Sequence, residues 1–256
     1  MLKIITIILF MFLPFFEGTD KPIVEQDFNF FSINIMGDIF TVKDNIITKF
    51  DISGTQKFQF SNYRHGNITS LDASDPMRIL AFYKEFNQVL FLDNTLSEIS
   101  AYLSLDEVNI IEANAVCSSS SGGFWLFNSD YYKLQKYSKS LNLVQEGTNM
   151  EGVIGRSFTP DFLDEQGNNI YLGIKDKGVY VFDIFGTFKK FIPLIYTNSI
   201  QIINEEIYFY KDSVFKYNIK NFETTVLEIP TNDFNSFRIY NNDMYIGDNK
   251  IIKKLD

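Results

Sequence analysis

Residues 241–256 read NNDMYIGDNKIIKKLD. A polar pair opens the stretch, a short apolar strand follows, Gly-Asp-Asn turns the chain, and a second strand closes it. Asn, Asp and Gly are turn formers, whereas Ile, Tyr and Met in short runs favour extended backbone. The same plan occurs five more times upstream. Segments DIFTV from Asp38, RILAF from Arg78, GFWLF from Gly123, NIYLG from Asn169 and EIYFY from Glu206 match DMYIG from Asp243. Each is followed about ten residues later by a second apolar segment whose marker residues are Phe50, Leu92, Tyr137, Phe182, Tyr217 and Leu255. Successive markers are 42, 45, 45, 35 and 38 residues apart. A period near 40 with several short strands per unit is the pattern of a β-propeller. The near-continuous apolar strands suit sheets covered on both faces, as when each blade lies between two neighbours.

The first unit shows four strands: FFSINI, DIFTVK, IITKFD and TQKFQFS. Asp44-Asn45 turns the second strand into the third. DISGT from Asp51 turns the third into the outer one and recurs as DIFGT from Asp183. Gly54 and Gly186 would supply the positive φ such turns require. The last unit lacks an outer strand. The segment KPIVEQDFNF from Lys21 belongs to no complete unit, and PIVEQDF resembles the outer strand TTVLEIP of unit five. The expectation is an all-β, six-bladed propeller of four-stranded blades, closed by the N-terminal strand completing the last blade. An unpaired edge would otherwise invite aggregation.

The first unit, GDIFTVKDNIITKFDISGTQKFQF, resembles an NHL repeat, and unit four, NNIYLGIKDKGVYVFDIFGTFKKF, is a second partial match. The Asn-x-Arg-Ile element of that family is replaced by DNIIT. The resemblance implies a fold and carries no activity, because propellers host hydrolases, lyases and binding platforms alike.

The opening MLKIITIILFMFLPFFEG has one cation, Lys3, an apolar run too short to span a bilayer, and a small residue, Gly18, where cleavage could fall. It reads as a signal peptide over residues 1–18, leaving 19–256 as one propeller domain exported to the periplasm or beyond the cell. Cys117 is the only cysteine, so no disulfide forms within the chain. The 42 aromatic residues provide for a large core instead. A net charge of -9 disfavours nucleic acid, whose binding rests on cations.

In a propeller the second-to-third turns and the blade-to-blade loops share one face. NYRHGN, SLDEVN, MEGVIGRSFTPD, IYTNS and PTNDFN fall there. From them come the candidate binding residues Tyr63, Arg64, His65, Asn67, Arg156 and Asn235. His65 is the only histidine, and no Gly-x-Ser-x-Gly elbow accompanies it, so neither a hydrolase triad nor a histidine zinc site can be assembled. Oxygen-rich side chains on inner strands suggest a calcium site in the channel as the alternative: Asp72, Asn114, Asp161 and Asn235, with Asn34 beside them. Such a site would go with a metal-dependent, lactonase-like hydrolase. A carbohydrate-binding propeller would need exposed aromatics, for which Tyr63, Phe158, Tyr196 and Phe234 qualify by position. Trp125 and Cys117 read as core. The leading expectation is a non-catalytic, exported propeller that binds a protein or a cell-envelope component.

Overall fold

The computed structural model describes residues 21–156, 159–229 and 233–255; the proposed signal peptide lies outside them. Six four-stranded antiparallel sheets follow one another around a ring. Blade 1 comprises Phe30–Ile33, Ile39–Lys43, Ile46–Phe50 and Gln56–Ser61. Blades 2 to 5 begin at Ser70, Ala113, Phe162 and Ile200, each running from inner to outer strand in sequence order. Blade 6 has Ser236–Tyr240, Asp243–Gly247 and Ile251–Leu255, and its outer strand is Val24–Glu25 from the other end of the chain. Val24 pairs with Ile252 and Glu25 with Ile251. The closing strand is short, but the main-chain bonds Ile23 N–H to Ile252 O, Gln26 N–H to Lys250 O and Phe28 N–H to Asn249 O extend its grip.

The core is a set of six apolar layers between neighbouring blades. Trp125, Phe127 and Leu134 of blade 3 meet Ile170, Leu172 and Phe182 of blade 4. Val24, Phe28, Phe31 and Ile252 seal blade 6 to blade 1. The second strands of blades 1 to 4 are covered from both sides, which is why Ile79–Tyr83 and Phe124–Asn128 are buried at every residue. Trp125 is fully buried, and its indole N–H donates to Glu165 Oε2 at 2.7 Å.

Two side-chain devices repeat and set the turns. At the third-to-outer turn one oxygen accepts from two main-chain N–H groups, two and four residues on. Asp51 Oδ1 takes Ser53 and Thr55, Asp93 Oδ1 takes Thr95 and Ser97, Ser138 Oγ takes Ser140 and Asn142, and Asp183 Oδ1 takes Phe185 and Thr187. The residue three after the acceptor has positive φ in all four: Gly54 at 84°, Leu96 at 61°, Leu141 at 56° and Gly186 at 76°. Gly54 serves a second purpose. A Cβ there would lie 1.8 Å from the Ile23 carbonyl oxygen, so glycine lets the turn of blade 1 touch the backbone beside the closing strand.

The second device clamps the second-to-third turn from the start of the inner strand. Asn29 Oδ1 accepts from Asp44 N–H at 2.7 Å, Thr69 Oγ1 from Lys84 N–H at 3.2 Å and Asp161 Oδ1 from Lys175 N–H at 3.0 Å. Asn114 Nδ2 donates to Ser129 Oγ in the same place.

Candidate functional site

Inner strands all run from the loop face toward the opposite end of the channel, so sequence position along them is depth. Register with the second strand fixes that depth. Ser32 pairs with Phe40, Asp72 with Leu80, Cys117 with Trp125, Asp164 with Tyr171, Gln201 with Tyr208 and Arg238 with Tyr245. The second members are the six equivalent anchors of the repeat. The first members therefore form one belt, a residue from each blade, at the waist of the channel. None is a large apolar residue. Five of them, all but the buried Cys117, line a cavity of about 630 Å³ along the axis.

The belt is charged asymmetrically. Asp72 accepts Ser118 N–H at 2.7 Å and Ser74 N–H at 2.9 Å, which joins blades 2 and 3. Burial, then the charge of Asp72, pushes the Asp164 carboxyl up to about 7. The Cys117 thiol is pushed well up by burial and by the same carboxylates, so it is no thiolate nucleophile. Across the ring, Arg238 Nη1 donates to Ser199 Oγ at 2.9 Å and to Phe237 O at 2.7 Å, and the guanidinium carbon stands 5.8 Å from the Phe31 ring centroid. Burial pulls its pKa down to about 10. Among the described residues Arg238 has no carboxylate partner. Gln201 bonds both main-chain groups of Ile239 and ties blade 5 to blade 6.

The oxygen ligands suggested for calcium do not converge. Asn114, Asp161 and Asn235 stand at the loop-face mouth, Asp72 in the belt, and Asn34 beyond it toward the far end. Asp161 and Asn114 act in the turn clamps, and Asp161 Oδ1 also accepts Tyr196 O–H at 2.7 Å. Asn34 organises its own hairpin by accepting Met36 N–H and Asp38 N–H. Among the described residues no three His, Cys, Asp or Glu side chains gather closely enough to hold a metal ion.

On the loop face, residues 62–67 form a tip on a fixed base. The His65 ring stacks on Tyr102 with centroids 3.5 Å apart, and its Nδ1 is 2.7 Å from Gln88 Oε1. Ile68 is buried behind it. Tyr63 is 79% exposed at the tip, with Arg64 and Asn67 exposed alongside. Arg156 stands apart over blade 3, paired with Glu151 across a single helical turn, Glu151–Ile154, inside what the sequence presents as a plain loop. Asn235 is exposed at the mouth of blade 6. The aromatic platform needs correction. Tyr196 is 1% and Phe234 7% exposed, because both fill the layers between blades; Phe158 lies outside the described residues.

The sequence hint that finds the belt is its spacing. Each member precedes its strand anchor by eight residues in blades 1 to 3 and by seven in blades 4 to 6.

No protein-family profile matches the chain, and no curated protein does. Solved structures do match. A streptogramin B lyase superposes with a TM-score of 0.62 at 14% identity over 91% of this chain and 86% of the other. The WD40 propeller of Doa1 gives 0.61 at 13% identity, covering 86% and 75%. The Neurospora crassa Pan2 WD40 domain gives 0.59 at 11%, covering 87% and 72%. Identities this low establish a shared propeller scaffold and nothing about activity.

Proposed function

We propose that the protein is an exported, non-catalytic propeller that binds a protein or cell-envelope component through its loop face. The carrying observation is the tip at residues 62–67. A tyrosine and an arginine project into solvent from a loop whose base is held by the His65–Tyr102 stack and the His65–Gln88 bond. Tyr and Arg dominate binding hot spots, and a loop already ordered avoids much of the entropy cost of docking. The propeller scaffold, shared in shape with WD40 domains, suits such a role because its loops sit on a rigid ring. Export rests on the apolar leader, Ile4 to Phe16, and its test is the N-terminus of the mature protein, expected near residue 19.

The test of binding is a photo-reactive amino acid at position 63, with position 226 on the exposed outer strand of blade 5 as control, in cells that export the protein. The expected result is a discrete adduct from 63, absent from 226 and lost in Arg64→Glu. Equal adducts from both positions, or none from 63, would refute the loop-face reading.

A further inference from the structure

The belt sets opposite charges facing one cavity, with neither neutralised by the other. Among the described residues Arg238 Nε and Nη2 have no hydrogen-bond partner, while its Nη1 is fixed by Ser199 and Phe237. A part-buried guanidinium with no counter-charge is costly, and its planar fork matches a carboxylate with two parallel hydrogen bonds. Two carboxylates, Asp72 and Asp164, face the same cavity at the same level. Their mutual repulsion is relieved by a cation placed against both. A separate observation comes from the mouth: Asn114, 9% exposed and lining the cavity, has an Oδ1 with no hydrogen-bond partner. Ser236 Oγ, also on the wall, has none either. The volume of about 630 Å³ falls within the range of small-molecule sites, roughly 300–1,000 Å³.

We propose that the channel waist binds a small zwitterion, an amino acid or a short peptide, with its carboxylate on Arg238 and its ammonium group on Asp72 and Asp164. Asn114 and Ser236 receive the remaining polar groups toward the mouth. This site is independent of the loop tip, and either can fail without the other.

The test is thermal unfolding of the mature protein with L-alanine, L-alanyl-L-alanine, N-acetyl-L-alanyl-L-alanine and L-alanyl-L-alanine amide. Each is present at about 10 mM, enough to stabilise by mass action any complex of millimolar affinity or tighter. Either free zwitterion should raise Tm and both capped forms should not; which one acts separates amino acid from peptide. By isothermal titration of the active probe, Arg238→Gln and Asp164→Asn should each weaken binding about tenfold or more, with Arg238→Lys intermediate. Circular dichroism and Tm without ligand identify a variant that merely fails to fold. A missing shift with both zwitterions, an equal shift with the capped peptides, or unchanged affinity in folded Asp164→Asn and Arg238→Lys would overturn the proposal.

Discussion

Four blades place a lysine at the same ladder position, opposite the repeat's anchor residue, and bury it differently. Lys49 faces Phe40 and Lys136 faces Trp125, and both are buried. Lys216 faces Tyr208 and Lys254 faces Tyr245, and both remain part exposed. In blade 1 the ammonium group reaches Asp38 at 2.9 Å and the Asn94 carbonyl at 2.9 Å; in blade 3 it reaches Ser121 Oγ. In blades 5 and 6 it meets Glu206 at 3.1 Å and Asp243 at 2.8 Å near solvent. The contrast extends to whole strands. Second strands of blades 1 to 4 are buried almost throughout, whereas Glu206–Tyr210 alternates and Asp243–Gly247 begins part exposed. Packing holds the first four blades, and the last two lean more on their ladders and on the closing strand.

The largest expected effect tests that dependence. Removing residues 1–29 strips blade 6 of its outer strand and takes Val24 and Phe28 out of the layer between blades 6 and 1. The shortened chain should lose its cooperative melt and elute as aggregate in size-exclusion chromatography. A monomer with normal Tm would break the comparison. Next, Trp125→Ala should cost about 3–5 kcal/mol in denaturant unfolding, as truncation of a buried aromatic does. Its counterpart Tyr208→Ala should cost less, because that ring is only partly buried. Equal losses would mean that blades 5 and 6 pack as tightly as the rest. The lysines sharpen the point. Lys49→Ala leaves Asp38 and the Asn94 carbonyl short of a donor and should cost about 2–4 kcal/mol. Lys216→Ala removes a part-exposed pair and should stay within about 1 kcal/mol.

One further effect is a gain, and it depends on pH. The folded-state pKa of Asp164 is raised to about 7 from an ordinary value of 3.8. Its neutral form is therefore favoured by folding, and the associated stability is fully present below pH 4 and lost as pH rises toward 7 and above. Asp164→Asn keeps the shape and removes the charge. Its Tm should exceed the parent's by several degrees at pH 8 and match it at pH 4. A gain that is the same at both pH values would remove the charge explanation.

Ring closure and the glycine turns were legible because each needs particular residues in a particular place. PIVEQDF had no other blade to join, and Gly54 and Gly186 sit at turns that demand positive φ. The same turn in blades 2 and 3 carries no glycine signal because Leu96 and Leu141 adopt that φ, held by the acceptor oxygen three residues earlier. Asp161 and Asn114 resembled metal ligands because a turn clamp and a cation ask for the same oxygens. The belt was hidden for a different reason. Its six members share a depth but no chemistry common to all, so from sequence only Asp72 reads as an oxygen ligand. Tyr196 and Phe234 could not be told from exposed aromatics in a chain that uses aromatics everywhere as filling.

The pairing of Val24 with Ile252 also bears on the time course of folding. Among the described residues every other strand pairs with its neighbour in sequence and finds it locally, but this contact joins the first described strand to the last. The entropy of closing so large a loop falls on a strand of two residues, after the neighbouring blades have formed. The closure is expected to be the slow step, and until it occurs Ile251–Leu255 presents a free edge. Refolding yield should therefore fall as protein concentration rises, even where the finished ring is stable.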